Sequence, residues 1–241
     1  MSKVARAVAP GLIAVSGLLL PVGALHAQVG YDPAHSPYKP LVNRTSVIVL
    51  GSLIGGSSGK LGIGPADGPG GGIRFEMKLS GPTDVFATVS WSRLERMVAS
   101  TAAVTEPRIT GPVKQPFLLA DVGLAILLAG DKTWHGLAPY LGGSLGFGFG
   151  ARVAEDSSTF SLRTRFVSGP LFGIRVYVGQ HISLRTEGRL QFWRLSYPST
   201  YFVPPPNAPN VAPLLNPDAT GDTEWTSHPT LLVGLGYSFR F

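Results

Sequence analysis

The residues in this 241-residue sequence best suited to chemistry are charged groups spaced two apart. Arg185, Glu187 and Arg189 form one such set, and Arg74, Glu76 and Lys78 form another. In an extended strand, residues i and i+2 share a face, so each set reads as a short ladder of alternating charge. Asp121, Arg175 and Arg240 extend the group to six cations and three anions. Where water is scarce, such groups offset much of their desolvation cost by pairing. The cation excess also allows a narrow path that favours anions. Nucleophilic chemistry has one candidate, His181-Ile182-Ser183, which puts a base two residues from a serine. A serine nucleophile needs an adjacent base, and that base an orienting carboxylate, which this pattern lacks. The chain has no cysteine, which excludes thiolate nucleophiles, thiolate metal sites and disulfides. "GGSSGKL" (55–61) has the look of a phosphate loop, but Leu61 stands where Ser or Thr would bind magnesium, and no helix follows. "DATGDTE" (218–224) has carboxylates at calcium-like spacing with its glycine misplaced, which leaves only weak cation binding open. The pattern predicts no cofactor, no resident metal and no catalytic residue.

The elements that position these groups are strands. Eight segments alternate with period two: 46–54, 71–80, 85–95, 117–130, 137–152, 166–179, 182–194 and 230–241. Ile73, Phe75, Met77 and Leu79 oppose Arg74, Glu76 and Lys78. In 137–152, Leu141, Leu145, Phe147 and Phe149 oppose Tyr140, Ser144 and four glycines. A helix with so many glycines would lose about 1 kcal/mol at each, whereas a strand with a crowded inner face accommodates them. The breaks alternate between long (55–70, 97–116, 153–165, 195–229) and short (81–84, 131–136, 180–181). An up-and-down meander with all its long loops at one end gives that alternation.

One face of each segment is almost entirely Leu, Val, Ile and Phe, while the other mixes Gly, Ser and Thr with a few charges. Charged residues make up only 14% of the chain, against about 25% in an average soluble protein. The polar face has too few Lys and Glu for a solvated surface, and it suits the lumen of a small barrel. The apolar face then points into hydrocarbon, where sheet edges cannot stay open and the sheet must close. Trp91, Trp193, Tyr237 and Phe241 lie where interfacial aromatic girdles would fall. Residues 1–27 read as a signal peptide, with Lys3 and Arg6 ahead of the apolar run 11–25. Residues 28–43 then read as a periplasmic linker and 44–241 as the barrel. The fold class predicted is all-β, an eight-stranded antiparallel up-and-down transmembrane β-barrel. The scattered cations give no nucleic-acid signature.

These features together resemble the small outer-membrane β-barrel superfamily (OmpA/OmpX-like) over about residues 44–241. The ending "GYSFRF" is similar to that superfamily's C-terminal assembly signal, with Tyr237, Phe239 and Phe241 in its aromatic places. The resemblance implies an outer-membrane location, contact with outer-membrane lipid, and handling by periplasmic chaperones and the barrel-assembly machinery. It is compatible with a monomer, and no peptidoglycan-binding domain follows. The superfamily includes structural proteins, adhesins, channels and lipid-modifying enzymes. The reading adopted is a non-enzymatic structural or surface-interaction barrel acting through its long loops, with its charges as an ionic plug. A narrow channel or transporter for small or apolar solutes is the alternative, ahead of a lipid-modifying enzyme. His181 and Ser183 resemble the His-x-Ser pair of outer-membrane lipid A deacylases. They fall at a short turn on the periplasmic side, however, and lipid A lies in the outer leaflet.

Overall fold

The computed structural model describes residues 36–41, 44–101, 107–154, 156, 160–216 and 221–240. Residues 1–27, Phe241 and 217–220 lie outside them, so the signal peptide, the last aromatic and the first three residues of "DATGDTE" do too. Residues 37–241 form one unit and 1–36 another. The barrel lies in the former.

Ten strands follow in chain order: β1 (Tyr38–Pro40), β2 (Thr45–Ile54), β3 (Gly68–Ser80), β4 (Thr83–Ala99), β5 (Ile109–Leu127), β6 (Lys132–Trp134), β7 (Leu137–Gly150), β8 (Thr164–Val178), β9 (Ile182–Ser196) and β10 (Thr223–Phe239). Eight of them close an antiparallel ring in the order β2, β3, β4, β5, β7, β8, β9, β10. The closure is long: β10 pairs with β2 from Thr230↔Ile54 to Phe239↔Thr45. With every inter-strand bond made around the ring, no edge is left open. The two short strands are not members of the ring, but β6 joins it through Trp134↔Leu137 of β7. Tyr38–Pro40 pairs with Lys132–Trp134, so part of the stretch read as linker is a strand laid on the turn between β5 and β7.

A strand lies in each of the eight periodic segments, and most run further toward the long-loop end than alternation alone indicates. Prolines explain two of the differences. Residues 109–116 read as loop because of Gly111, Pro112 and Pro116, yet they belong to β5. The β4 to β5 register slips between Arg96 and Val98, and such a bulge tolerates a residue that cannot donate to the ladder. Pro229 likewise masks the start of β10. Pro229 lies opposite Leu190 of β9 and past the end of β2 at Ile54, where its carbonyl accepts from Gly55 N and no N–H is called for. The long connections 55–67, 100–108, 151–163 and 197–222 share one end, and the short turns share the other.

Side chains on the inner face form two zones. Arg74, Glu76, Asp121, Arg175, Arg185, Glu187 and Arg189 are buried toward the short-turn end. Toward the long-loop end, Ile63, Leu94, Phe117, Leu162, Trp193, Leu195 and Tyr201 form the largest apolar cluster. Glycines make room for the inner rings. A Cβ on Gly148 would collide with the Phe117 ring, and one on Gly123 with that of Phe86.

Candidate functional site

The lumen holds a braced charge network drawn from β3, β4, β5, β7, β8 and β9. Glu187 is its hub. It accepts two parallel bonds from Arg74, Nη1 at 2.8 Å and Nη2 at 2.7 Å. It also accepts Arg189 Nε at 2.6 Å and the Tyr140 hydroxyl at 2.6 Å. Arg189 Nη1 continues to Asp121 at 3.2 Å. Arg175 Nη1 bridges Glu76 at 2.8 Å and Asp84 at 2.6 Å. Arg185 Nη2 binds the other Glu76 oxygen at 2.8 Å. The guanidiniums of Arg74 and Arg175 lie over the rings of Phe86 and Tyr140, at 4.3 Å and 4.6 Å, which adds cation–π attraction in a dry setting. Four arginines meet four carboxylates, so the cluster has no net charge.

The partners differ from those the sequence suggests. Charges two apart on one strand read as in-strand ladders, yet most of these side chains reach across the lumen. Glu76 pairs with Arg175 and Arg185 on the far wall rather than with Arg74 and Lys78. Glu187 keeps Arg189 as an in-strand partner, and Arg185 Nη1 stands 3.9 Å away. Lys78 is half-buried near the short-turn mouth, outside the network. Arg240, read as luminal, is exposed past the end of β10. Asp84 and Tyr140 supply contacts that the sequence reading missed. On β4 the inward parity of Thr88 and Ser92 runs back through Phe86 to Asp84.

The other half of the lumen is closed by the loops. Loop 55–67 continues the sheet along β10, with Gly55 N bound to Pro229 O at 2.8 Å and Ser57 N to Ser227 O at 3.1 Å. Glu224 accepts Lys60 N at 2.8 Å and the Tyr197 hydroxyl. Burial, together with the Glu224 carboxylate, pushes the Tyr197 phenol above its ordinary range. Arg96 pairs with Asp156 at 2.5 Å, and Arg108 Nη1 donates to Ala212 O at 2.6 Å. These contacts tie loops 100–108, 151–163 and 197–222 over the mouth. Trp193, expected in a girdle, points inward and stacks on His228 with ring centroids 3.4 Å apart. The swap follows from parity: Phe192 takes the outward place on β9.

The outer face carries an apolar band. Leu53 and Phe172 are each 64% exposed, and Val49, Ile73, Val122, Leu145 and Val233 are exposed with them. Monomeric soluble proteins rarely expose contiguous apolar patches beyond a few hundred Å². Trp91 and Trp225 lie toward the loop end of this band, Trp134 and Tyr237 toward the turn end, as interfacial aromatics do.

No family profile matches the chain, and no curated protein matches it. Solved structures do. Neisserial surface protein A superposes with a TM-score of 0.50 at 16% identity, over 81% of this chain and 97% of that one. The fold is that of the small outer-membrane β-barrels. The outer membrane protein OprG from Pseudomonas aeruginosa also matches, at 11% identity and a TM-score of 0.48, over 83% of this chain and 98% of its own. Its apolar exterior suits that fold to a wall that faces lipid.

Among the described residues no acid–base or nucleophilic set is assembled in the lumen. Each network carboxylate is held by a guanidinium. Ser183 is buried while His181 is exposed at the turn, where its ring stacks 5.7 Å from that of Tyr237. Among the described residues no group of three or more His, Cys, Asp or Glu side chains is placed to hold a metal ion. Tyr237 projects outward, and Phe239, the last residue of β10, is half-buried.

Proposed function

We propose that this is a closed, non-enzymatic outer-membrane barrel that acts through its long-loop end, as a structural or surface-interaction protein. The observation that carries the reading is the double plug. A neutral network of four arginines and four carboxylates fills one half of the lumen. An apolar cluster, with the loops folded over it, fills the other. Eight strands enclose a space that side chains can fill, and here they fill it. An open anion path is not supported: Lys78 and Arg240 stand outside the network, and Asp84 balances the cation that remains in excess. The exposed surfaces left to interact are the outer faces of the loops and the lipid-facing wall. The protein is further proposed to be a monomer whose Tyr237, Phe239 and Phe241 are read by the assembly machinery.

Planar-bilayer recording tests the closed reading. The wild-type protein is expected to give no steady conductance, and a stable open channel would overturn the proposal. The membrane assignment is tested on the same preparation. Detergent should be required for extraction, and unheated samples should migrate faster on a gel than boiled ones. Release into buffer without detergent would refute it.

A further inference from the structure

Three arginines stand together at the long-loop rim of β8 and β9. Arg163 and Arg194 both act on Arg165 as like charges. None of the three forms an ion pair with a described residue. Arg165 directs its donors to neutral oxygens: Ser196 Oγ at 2.9 Å, Leu162 O at 3.1 Å and Ser161 O at 3.2 Å. Arg194 Nη2 reaches Thr223 Oγ1 at 2.5 Å. Guanidiniums gathered with no carboxylate partner among the described residues form the kind of cluster that recognises phosphate groups.

The place of this cluster says which phosphate. Arg194 lies on the outer face of β9, directly opposite Trp225 of β10 in register, and Trp225 is exposed at the edge of the apolar band. The arginines therefore sit at headgroup height. Directly below, the outer wall is hollowed by an apolar groove of about 680 Å³. It starts at Phe166, the residue after Arg165, and runs down past Leu145 to Leu124. Its floor is low because Gly143 and Pro170 face each other across β7 and β8. A Cβ on Gly143 would meet only the Gly169 carbonyl oxygen, at 3.6 Å. Charge above and an apolar slot below match the two ends of one amphiphile.

We propose that this wall binds one phosphate-bearing lipid of the leaflet it faces, with the phosphate held by Arg163, Arg165 and Arg194 and an acyl chain laid in the groove. The inference rests on the reading of the chain as a membrane barrel. A phosphomonoester carries about −1.5 to −2 charge near neutral pH, so three cations suit it better than a zwitterionic phosphodiester headgroup.

The test uses the full barrel in nanodiscs of phosphatidylcholine doped with phosphatidic acid, with native mass spectrometry counting the lipid retained. The wild type should keep one phosphatidic acid in preference to phosphatidylcholine. Each arginine near a lipid surface contributes about fivefold in affinity, so Arg163→Gln/Arg194→Gln should weaken retention about 30-fold. Gly143→Leu, which fills the groove and leaves the arginines in place, should also weaken it. If the double variant does not fold, Arg194→Gln alone, a change at an exposed side chain, should weaken retention about fivefold. Unchanged retention in these variants, or equal retention of phosphatidylcholine, would overturn the site. Displacement of the lipid by inorganic phosphate would show a free-anion site and overturn the lipid assignment. Heat-modifiable migration is measured on every sample. A wild type that shows it and keeps no lipid refutes this site alone, whereas one that lacks it refutes the barrel.

Discussion

Replacing Glu187 by glutamine keeps the shape of the side chain but removes one charge from a network that balances at four against four. Arg74 then loses its bidentate carboxylate, and one of its N–H groups faces an amide NH2. Two routes give the size of the effect. Losing one partner of a buried pair costs about 3–5 kcal/mol. Losing two hydrogen bonds to a charged acceptor, at about 1.5–3 kcal/mol each, gives about 3–6 kcal/mol. The expected loss is therefore about 3–5 kcal/mol, or roughly 2 M in urea midpoint at an ordinary denaturant slope. Reversible urea unfolding in detergent micelles measures it, with fluorescence of the buried Trp193 reporting on the interior. The companion variant Arg74→Met/Glu187→Leu removes both charges and restores the balance. Well-packed apolar replacements for a buried pair are often neutral or stabilising, so this double variant should recover at least half of the loss. A Glu187→Gln effect below about 1 kcal/mol would refute the hub. A double variant as unstable as the single would show that packing, and not charge, sets the cost.

Three further outcomes are expected. Val233→Arg, on the lipid-facing row of β10, should destabilise the barrel in bilayers by about 2–4 kcal/mol, whereas an exposed site in water would tolerate it within about 0.5 kcal/mol; unfolding from vesicles decides between them. Gly148→Val should cost about 1–3 kcal/mol by overpacking the Phe117 ring, and Phe117→Leu in the same chain should restore most of it, as read by the unfolding midpoint. Tyr197→Phe should loosen loop 55–67, seen as faster amide exchange there with the strands unchanged. Because the Tyr197 phenol is held above its ordinary range in the folded state, its contribution should be intact below the usual tyrosine value of about 10 and fade as pH rises past it. Loss of loop protection already at neutral pH would contradict that sign.

Much of the fold is legible in the sequence because a closed barrel sets a strict parity. Each strand residue faces either lipid or lumen, so Ile73, Phe75 and Met77 can be told from Arg74 and Glu76 without knowing any partner. Parity gives the side of the wall and nothing more. Which charges meet depends on stagger and on the reach of arginine across the lumen, which is why Glu76 finds Arg175 and Arg185 rather than its own strand neighbours. It also depends on where a strand stops. Arg240 has the right parity for the lumen but lies past Phe239, where there is no wall to face inward from. Asp84 has the right parity too and was read as part of a turn.

The loop end was the least legible, for a different reason. Loops carry no period, and Tyr197 and Tyr201 are as compatible with a sticky surface as with a plug. The inner glycines are the deciding physical clue. Gly148 and Gly123 leave room for the rings of Phe117 and Phe86, so the lumen is built to be filled by its own side chains. Once the interior is full, function is left to the surfaces that remain: the outer faces of the loops, and a stretch of wall where three arginines stand above an apolar groove. On the closed reading proposed above, a barrel filled in this way would handle what approaches it from outside or from the side, through the bilayer.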